Sequence, residues 1–230
     1  MTVGIIGAME EEIEQLKRNM MVEDEETIAG TLFIKGTLQN QSVILLKSGI
    51  GKVNAAMAAT ILHERYQPEY VINTGSAGGF ASQLEVGDIV VSTKVAYHDV
   101  DVTAFNYEYG QIPGMPTMYT ADQNLVDEAM EAVGEATHAN AAKGIIATGD
   151  AFMQDQARVD FVREKFPEMI AAEMEAAAIT QVCYKYGTPF VVIRALSDIA
   201  GKTSSISFDQ FLGKAAAHAT EIIMTMLSKR

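Results

Sequence analysis

The chain has 230 residues, of which 48% are hydrophobic and 20% charged, and its formal net charge is −13. This length fits one globular α/β domain, or at most two small ones, and we expect a single domain over residues 1–230. The acidic balance argues against nucleic acid or an anionic membrane as a partner. No apolar run reaches the ~18 residues of a membrane-spanning helix, no signal peptide is apparent, and the lone Cys183 suits a reducing compartment, so we expect a cytoplasmic location.

The first half of the chain alternates apolar runs with segments of helical periodicity. The pattern predicts a strand at 2–7, an amphipathic helix at 10–21, a hairpin formed by 28–38 and 42–48, a helix at 53–66, and strands at 70–74 and 88–96. The strand at 70–74 leads into a run of small residues, 75–79, that contains Ser76 and three glycines.

Residues 98–120 form a long segment without clear periodicity, rich in aromatic residues, glycine and proline. Loops of this length in compact domains are usually functional or disordered. This segment is too apolar for disorder, so we expect it to cover another part of the protein.

The second half continues the alternation and sets the fold class. It predicts helices at 122–137, 154–165, 176–186 and 208–228, and strands at 142–148, 169–172 and 189–195. Several of these strands are apolar on both faces. We therefore predict an α/β fold with a mostly parallel β-sheet covered by helices.

A pair of acids, Glu173 and Glu175, stands where the strand at 169–172 gives way to the helix at 176–186. Open α/β sheets hold their ligands at this edge. One acid would complement the positive end of the helix dipole. Two acids in an apolar frame favour a polyol or cationic ligand instead, because an unpaired carboxylate is costly to desolvate.

Other familiar motifs fail on inspection. The segment Ser48-Gly49-Ile50-Gly51-Lys52 lacks the remaining positions of a phosphate-binding loop, and the histidines show no metal-ligand spacing. What remains is a set of predicted strand ends that carry acids, small residues and one arginine, which describes a ligand cleft.

Six segments along the chain resemble one enzyme family. They are Ile5-Ile6-Gly7-Ala8-Met9-Glu10-Glu11-Glu12, Leu46-Lys47-Ser48-Gly49-Ile50-Gly51-Lys52, Asn73-Thr74-Gly75-Ser76-Ala77-Gly78-Gly79, Thr148-Gly149-Asp150-Ala151-Phe152, Glu173-Met174-Glu175 and Arg194-Ala195-Leu196-Ser197-Asp198. Each is weak alone, but the ordered set resembles the 5′-methylthioadenosine/S-adenosylhomocysteine nucleosidases of the nucleoside phosphorylase superfamily. The resemblance implies a mixed, mostly parallel sheet in a three-layer α/β/α arrangement.

The resemblance also implies a reaction, the irreversible hydrolysis of the bond between adenine N9 and ribose C1′ without a metal or cofactor. Glu12 would be the general base for water, and Ser76 and Arg194 would hold that water. Asp198 would protonate the leaving adenine at N7 and pair with its 6-amino group. Glu175 would accept hydrogen bonds from the ribose hydroxyls beside the developing cation.

The remaining site residues follow from the same resemblance. Phe152, Met153 and Ser197 would contact adenine, the Met174 backbone would contact ribose, and Glu173 and Gly78 would support the site without touching substrate. The 5′-thio group would pack against three apolar side chains, Met9, Ile50 and Phe208.

The family is homodimeric, and its long aromatic loop reaches into the site of the neighbouring subunit. Phe105, Tyr107 and Pro113 match the residues that cap the 5′ pocket across that interface. The alternative is that these three residues pack over helices of their own chain.

Three alternative functions stand beside hydrolysis of 5′-thioadenosines, namely two related enzyme activities and one non-catalytic function. A purine nucleoside phosphorylase must seat a phosphate dianion beside C1′, where Glu10, Glu11 and Glu12 would repel it. A futalosine hydrolase would act on a 6-oxo purine, whereas an acid at Asp198 accepts from a 6-amino group. A non-catalytic nucleoside-binding module is the third alternative, against which the intact Glu12 and Asp198 argue.

Overall fold

The computed structural model describes residues 2–137, 139–202 and 204–230, without the side chains of 204–207 and 209. The strands are β1 (Thr2–Gly7), β2 (Met21–Ile28), β3 (Thr31–Leu38), β4 (Gln41–Lys47), β5 (Tyr70–Gly79), β6 (Ile89–Tyr97), β7 (Tyr119–Thr120), β8 (Ala141–Thr148), β9 (Met169–Glu173) and β10 (Phe190–Ile199). The helices are α1 (Glu10–Asn19), α2 (Lys52–Tyr66), α3 (Gln123–Ala136), α4 (Gln156–Lys165), α5 (Ala176–Tyr186) and α6 (Ser204–Ser228).

All these strands belong to one sheet, in the order β10-β6-β8-β9-β5-β1-β4-β3-β2, with β7 beside β6. Within the described residues five strand pairings are parallel and five are antiparallel. The predicted mixed α/β sheet with covering helices is confirmed. Because β10 also pairs with β5, the strands β5, β10, β6, β8 and β9 form a closed path, which the sequence did not predict.

The hydrophobic core lies on both faces of the sheet. The side chains of Ile5 and Ile6 on β1 point to opposite faces, and both are completely buried. Helix α5 covers part of this core with a run of buried alanines, and Gly187, which follows its last residue Tyr186, terminates the helix through its positive φ. No described helix has the length and apolar character needed to cross a membrane.

The predicted hairpin between β3 and β4 is present, and its turn residues Gln39 and Asn40 both have positive φ. This geometry matches the twist of the two strands. The predicted helix at 10–21 is too long, because α1 ends at Asn19 and the chain enters the edge strand β2. The acidic, exposed sequence of β2 hides its strand character.

Two strands run further than the sequence indicated. β5 continues through its glycines to Gly79, and β10 continues to Ile199, with a register shift between Leu196 and Asp198. Consequently Ser76 and Asp198 lie within paired strands and not in the loops after them, and Arg194 lies within β10 as predicted. Strand pairing fixes their backbones, which is the property a catalytic site requires.

Candidate active site

A cavity of about 300 Å³ opens at the carboxyl ends of β1, β4 and β5, a volume suited to a small molecule. It brings together segments that are far apart in the sequence, from the first loop of the chain to α6. The lining residues are Ala8, Met9, Glu12, Ile50, Ser76, Ala77, Gly78, Ala151, Phe152, Met153, Ala172, Glu173, Met174, Glu175, Ser197, Asp198 and Phe208.

Glu12 is held in the cavity by donors from two elements. Its Oε2 accepts the N–H groups of Ala8, at 2.8 Å, and Met9, at 3.1 Å, in the loop before α1. Its Oε1 accepts both the N–H of Ser76, at 2.9 Å, and the Ser76 hydroxyl, at 3.1 Å. The carboxylate is 3% exposed, so its orientation is fixed before any ligand enters. Glu10 is exposed and pairs with Lys47.

Gly75 allows Glu12 and Arg194 to approach the same strand. A Cβ at position 75 would lie 2.3 Å from Arg194 Nη1 and 2.6 Å from Glu12 Oε1, and the backbone φ is +151°. Only glycine fits these contacts and this conformation. Residue 75 therefore keeps the space between the acid and the guanidinium free of side-chain atoms.

Arg194 is 1% exposed and lies beside the cavity without lining it. Its Nη2 donates to Asn73 Oδ1 at 2.7 Å and to Glu173 Oε2 at 2.6 Å. Its Nη1 donates to the backbone oxygens of Thr74 and Ser76 at 3.4 Å. The guanidinium is thus fixed by the strands on which it lies.

Glu173 lines the cavity, but its carboxylate is occupied by protein groups. Oε2 accepts the N–H groups of Glu175, at 2.9 Å, and Ala176, at 2.8 Å, as well as Arg194. Oε1 accepts the Thr148 hydroxyl, which in turn accepts the N–H of Ala177. Glu173 thus serves the start of α5, as expected for an acid that complements a helix dipole.

Glu175 has far fewer partners. Its Oε1 accepts the N–H of Gly51 at 2.9 Å, and its Oε2 lies 3.7 Å from Arg194 Nη2. Burial raises the pKa of Glu175 to about 8, and the negative charge of Glu173 adds to the rise, while Arg194 and the Gly51 N–H oppose it. A buried acid with unused acceptor capacity suits hydroxyl donors or a developing positive charge.

Asp198 is 3% exposed and faces the cavity from β10. Its Oδ1 lies 3.0 Å from the hydroxyl of Ser197, and a Cβ at Gly78 would come within 3.1 Å of its Oδ2. Gly78 therefore leaves room for this carboxylate. The arrangement places the Asp198 carboxylate in the same cavity as Glu12.

The rest of the cavity is apolar. Phe152 and Phe208 meet edge to face with ring centroids 6.0 Å apart, and Phe152 is 42% exposed. Met153 is buried, and its backbone oxygen accepts the N–H of Gly201 at 3.2 Å. Ile50 is 51% exposed at the mouth. An exposed aromatic ring beside buried acids suits a flat heterocycle joined to a polar group.

The three loop residues expected at a neighbouring site do not line the cavity of their own chain. Phe105 is 74% exposed, Pro113 is exposed and Tyr107 is half-buried. The exposure of Phe105 does not fit the alternative that this ring packs over a helix of its own chain.

Sequence reasoning missed several groups that organise the site. Asn73 and Thr148 appeared only as first residues of family-like segments, yet they hold Arg194 and Glu173. The backbone donors of Ala8 and Gly51 have no side-chain signature at all. Asn73 and Thr148 carried one available signal, because each is a polar residue at the end of an apolar strand.

Comparison with known proteins reveals similarity over the whole chain. The sequence profile of the phosphorylase superfamily matches residues 2–228. A protein from Bacillus pumilus named 5′-methylthioadenosine/S-adenosylhomocysteine nucleosidase is 59% identical over 229 residues, which cover 100% of this chain and 99% of that protein.

Solved structures give the same result. A nucleosidase of this name from Colwellia psychrerythraea, in complex with adenine, has a TM-score of 0.97 and 47% identity, covering 100% of this chain and 95% of that one. A futalosine hydrolase from Helicobacter pylori has a TM-score of 0.94 at 32% identity, covering 100% and 98%. Proteins with either name share the fold, and the greater sequence similarity is to the nucleosidases.

Proposed function

This chain belongs to the phosphorylase superfamily and, within it, to the 5′-methylthioadenosine/S-adenosylhomocysteine nucleosidases, and we propose that it hydrolyses the N-glycosidic bond of these two nucleosides. The products are adenine and the corresponding 5-thioribose, and 5′-deoxyadenosine is a third substrate. The observation that carries the proposal is the convergence of Glu12, Glu175 and Asp198 on one cavity beside an exposed aromatic ring.

Glu12 is the general base in this proposal. Its Oε1 is held by Ser76, so a water that reaches the same side of the cavity can transfer a proton to a carboxylate whose position is already set. Ser76 and Arg194 flank Gly75, whose missing side chain leaves room there for the water.

Asp198 is the general acid in this proposal. Negative charge accumulates on adenine as the bond to ribose breaks, and protonation at N7 by this acid relieves it. The backbone of Met153 and the ring of Phe152 hold the base, and Ser197 orients the carboxyl from its own strand. A carboxyl oxygen at this position also accepts a hydrogen bond from the 6-amino group of adenine. A 6-oxo purine such as futalosine has no donor there and is therefore disfavoured.

Glu175 and the apolar residues bind the sugar. The Glu175 carboxyl accepts hydrogen bonds from the ribose hydroxyls and stabilises the oxocarbenium-like transition state. The Met174 backbone packs against the ribose. Met9, Ile50 and Phe208 provide the surface for the 5′-thio group.

Charge decides between water and phosphate as nucleophile. Glu12 lines the part of the cavity where the nucleophile would lie, and the neighbouring cation Arg194 already pairs with Glu173. A phosphate dianion would be repelled here, whereas water would not.

Product analysis tests the proposal. Adenine release from methylthioadenosine should proceed at the same rate with and without phosphate and yield free methylthioribose. Formation of methylthioribose 1-phosphate that requires phosphate would replace the hydrolase by a phosphorylase. If adenine is released from none of the three nucleosides, the alternative of a non-catalytic nucleoside-binding module is favoured.

We also propose that the chain acts as a homodimer in the cytoplasm. The support is the exposed Phe105, which lies on a loop of apolar composition and does not line the cavity of its own chain. In a dimer this ring, Tyr107 and Pro113 cap the 5′ pocket of the neighbouring subunit.

A further inference from the structure

The two acids that flank Met174 differ sharply in their hydrogen-bond partners. Glu173 accepts four donors, namely two backbone N–H groups, one hydroxyl and one guanidinium. Among the described residues, Glu175 accepts a hydrogen bond from one group, the backbone N–H of Gly51. Two buried carboxyls that lie two residues apart therefore receive very different numbers of hydrogen bonds.

The position of Arg194 accounts for part of this inequality. Its Nη2 lies 2.6 Å from Glu173 Oε2 but 3.7 Å from Glu175 Oε2. Asn73 fixes the same nitrogen from the other side, and the Asn73 amide is itself anchored to the backbone oxygen of Ile6 at 2.9 Å. The guanidinium therefore pairs closely with Glu173 and only loosely with Glu175.

We propose that Glu173 is a positioning residue that holds the Arg194 guanidinium away from Glu175, so that the Glu175 carboxylate meets its matching positive charge only when the sugar cation develops. An interaction that is stronger in the transition state than in the ground state accelerates the chemical step. This inference rests on the proposed function and assigns a role to a residue that does not react.

The charges around Glu175 are consistent with this role. The groups that act on it are Glu173 on β9, Arg194 on β10, Glu12 on α1 and the Gly51 N–H at the start of α2. Apart from burial, the charge of Glu173 is the largest cause of the raised Glu175 pKa. Neutralising Glu173 removes that repulsion and weakens the ion pair with Arg194 to a hydrogen bond, so residue 173 no longer competes with Glu175 for the positive charge.

Glu173→Gln is a variant that the surroundings can accommodate. The amide oxygen can replace Oε2 as acceptor for the α5 N–H groups and Arg194. The amide nitrogen can replace Oε1, because it can donate to the Thr148 hydroxyl oxygen. The substitution thus removes one charge while the shape is retained.

The first experiment titrates the free enzyme, so it does not depend on turnover. The protein is labelled with ¹³C at the glutamate side-chain carboxyls, and the Glu175 signal is identified by its loss in Glu175→Gln. In Glu173→Gln the Glu175 midpoint should fall by at least about one pH unit, a tenfold change in its ionisation constant. A midpoint within about 0.3 units of the wild-type value would overturn the proposal.

A second measurement separates a positioning role of Glu173 from a role in substrate binding. At pH 9, where Glu175 is largely ionised in both proteins, kcat of Glu173→Gln should fall about tenfold with little change in KM. A rise in KM at constant kcat would show that Glu173 only shapes the binding site, and the positioning role would be wrong.

A matched pair at position 148 covers the case in which Glu173→Gln does not fold. Thr148→Val removes the hydroxyl that donates to Glu173, and Thr148→Ser retains it. At pH 9 kcat should fall in the valine variant with little change in KM and stay close to wild type in the serine variant, because only serine keeps the hydrogen bond that fixes Glu173. Equal kcat values in the two variants would contradict the proposal.

Discussion

Glu12 Oε1 accepts two hydrogen bonds from Ser76, one from its backbone nitrogen at 2.9 Å and one from its hydroxyl at 3.1 Å. The two residues are 64 positions apart, and the parallel pairing of β1 with β5 brings them together. The carboxylate of Glu12 is therefore oriented by the sheet and not by the ligand. Such preorganisation is what a general base requires, because no reorganisation is needed when the proton moves.

Glu12→Gln should fold and lose kcat by about 10²–10⁴-fold, since the amide oxygen can keep the donors of only one carboxylate oxygen and the amide cannot accept the proton of water. Steady-state kinetics with methylthioadenosine and circular dichroism provide the measurement. Glu11→Gln is the control, because Glu11 lies on the same helix but is exposed. Near wild-type kcat in Glu12→Gln would remove Glu12 from the mechanism.

Asp198→Asn should also lose kcat by about 10²–10⁴-fold with adenine as the leaving group. A 5-methylthioriboside of p-nitrophenol offers a matched control, since p-nitrophenolate leaves without protonation. The variant should hydrolyse this substrate at close to the wild-type rate. An equal loss with both substrates would mean that Asp198 supports the site without donating a proton.

The sequence predicted the polar side chains of this site better than the framework that holds them. Glu12, Glu175 and Asp198 follow predicted strands, and the sheet brings them into one cavity. The donors to Glu12 and Glu175 are largely backbone N–H groups, which every residue type except proline can supply. Their presence depends on strand register, so it could not be read from residue types.

The closed strand path has the same explanation. β10 pairs with β5 and β6 because of where its long apolar run lies in space, and an apolar run does not specify its neighbours. Strand β2 escaped prediction because it is an exposed edge with acidic side chains. Such charges protect an edge from pairing with other chains and do not resemble a buried strand.

Glu175 should make stability depend on pH. Its pKa is about 8 in the folded protein and about 4.3 in an unfolded chain, so between these values the folded state holds a proton that the unfolded state has lost. Its contribution to stability is complete below the lower value and is lost as pH rises to about 8. Glu175→Gln cannot ionise, so this decrease in the free energy of unfolding with rising pH is absent from the variant.

The free energy of unfolding of Glu175→Gln, relative to wild type, should therefore rise between pH 5 and pH 8. The expected size is about 1.4 kcal/mol for each unit by which the pKa is raised. Denaturant titrations at fixed protein concentration measure it, with Glu11→Gln as a variant that should track the wild type. A difference that does not vary with pH would show that Glu175 titrates as it does in the unfolded chain.

Gly75→Ala should impair both activity and stability, since its Cβ would lie 2.3 Å from Arg194 Nη1 and 2.6 Å from Glu12 Oε1. We expect kcat to fall at least about 100-fold and the free energy of unfolding to fall by about 1–3 kcal/mol. Gly134→Ala on α3 is the control, because apart from its chain neighbours and the backbone of its own helix no described atom lies within 4 Å of its new Cβ. That variant should keep full activity and gain up to about 1 kcal/mol in stability.

Phe105 tests the proposed sharing of sites between subunits. Phe105→Ala should raise KM for methylthioadenosine about tenfold or more, because it removes an aromatic contact worth about 1.5–3 kcal/mol, and should leave the fold intact since the ring is 74% exposed. In a mixed dimer, one chain carries Phe105→Ala and the other carries Glu12→Gln. The only site with an intact Glu12 then belongs to the Phe105→Ala chain, and the intact loop of the Glu12→Gln chain caps it. Co-expressed, doubly tagged dimers should therefore show the wild-type KM and about half the wild-type kcat per dimer, in keeping with one restored site of two. If the mixed dimer instead keeps the raised KM, Phe105 serves the site of its own chain, and a monomeric elution volume on size exclusion would exclude the shared site altogether.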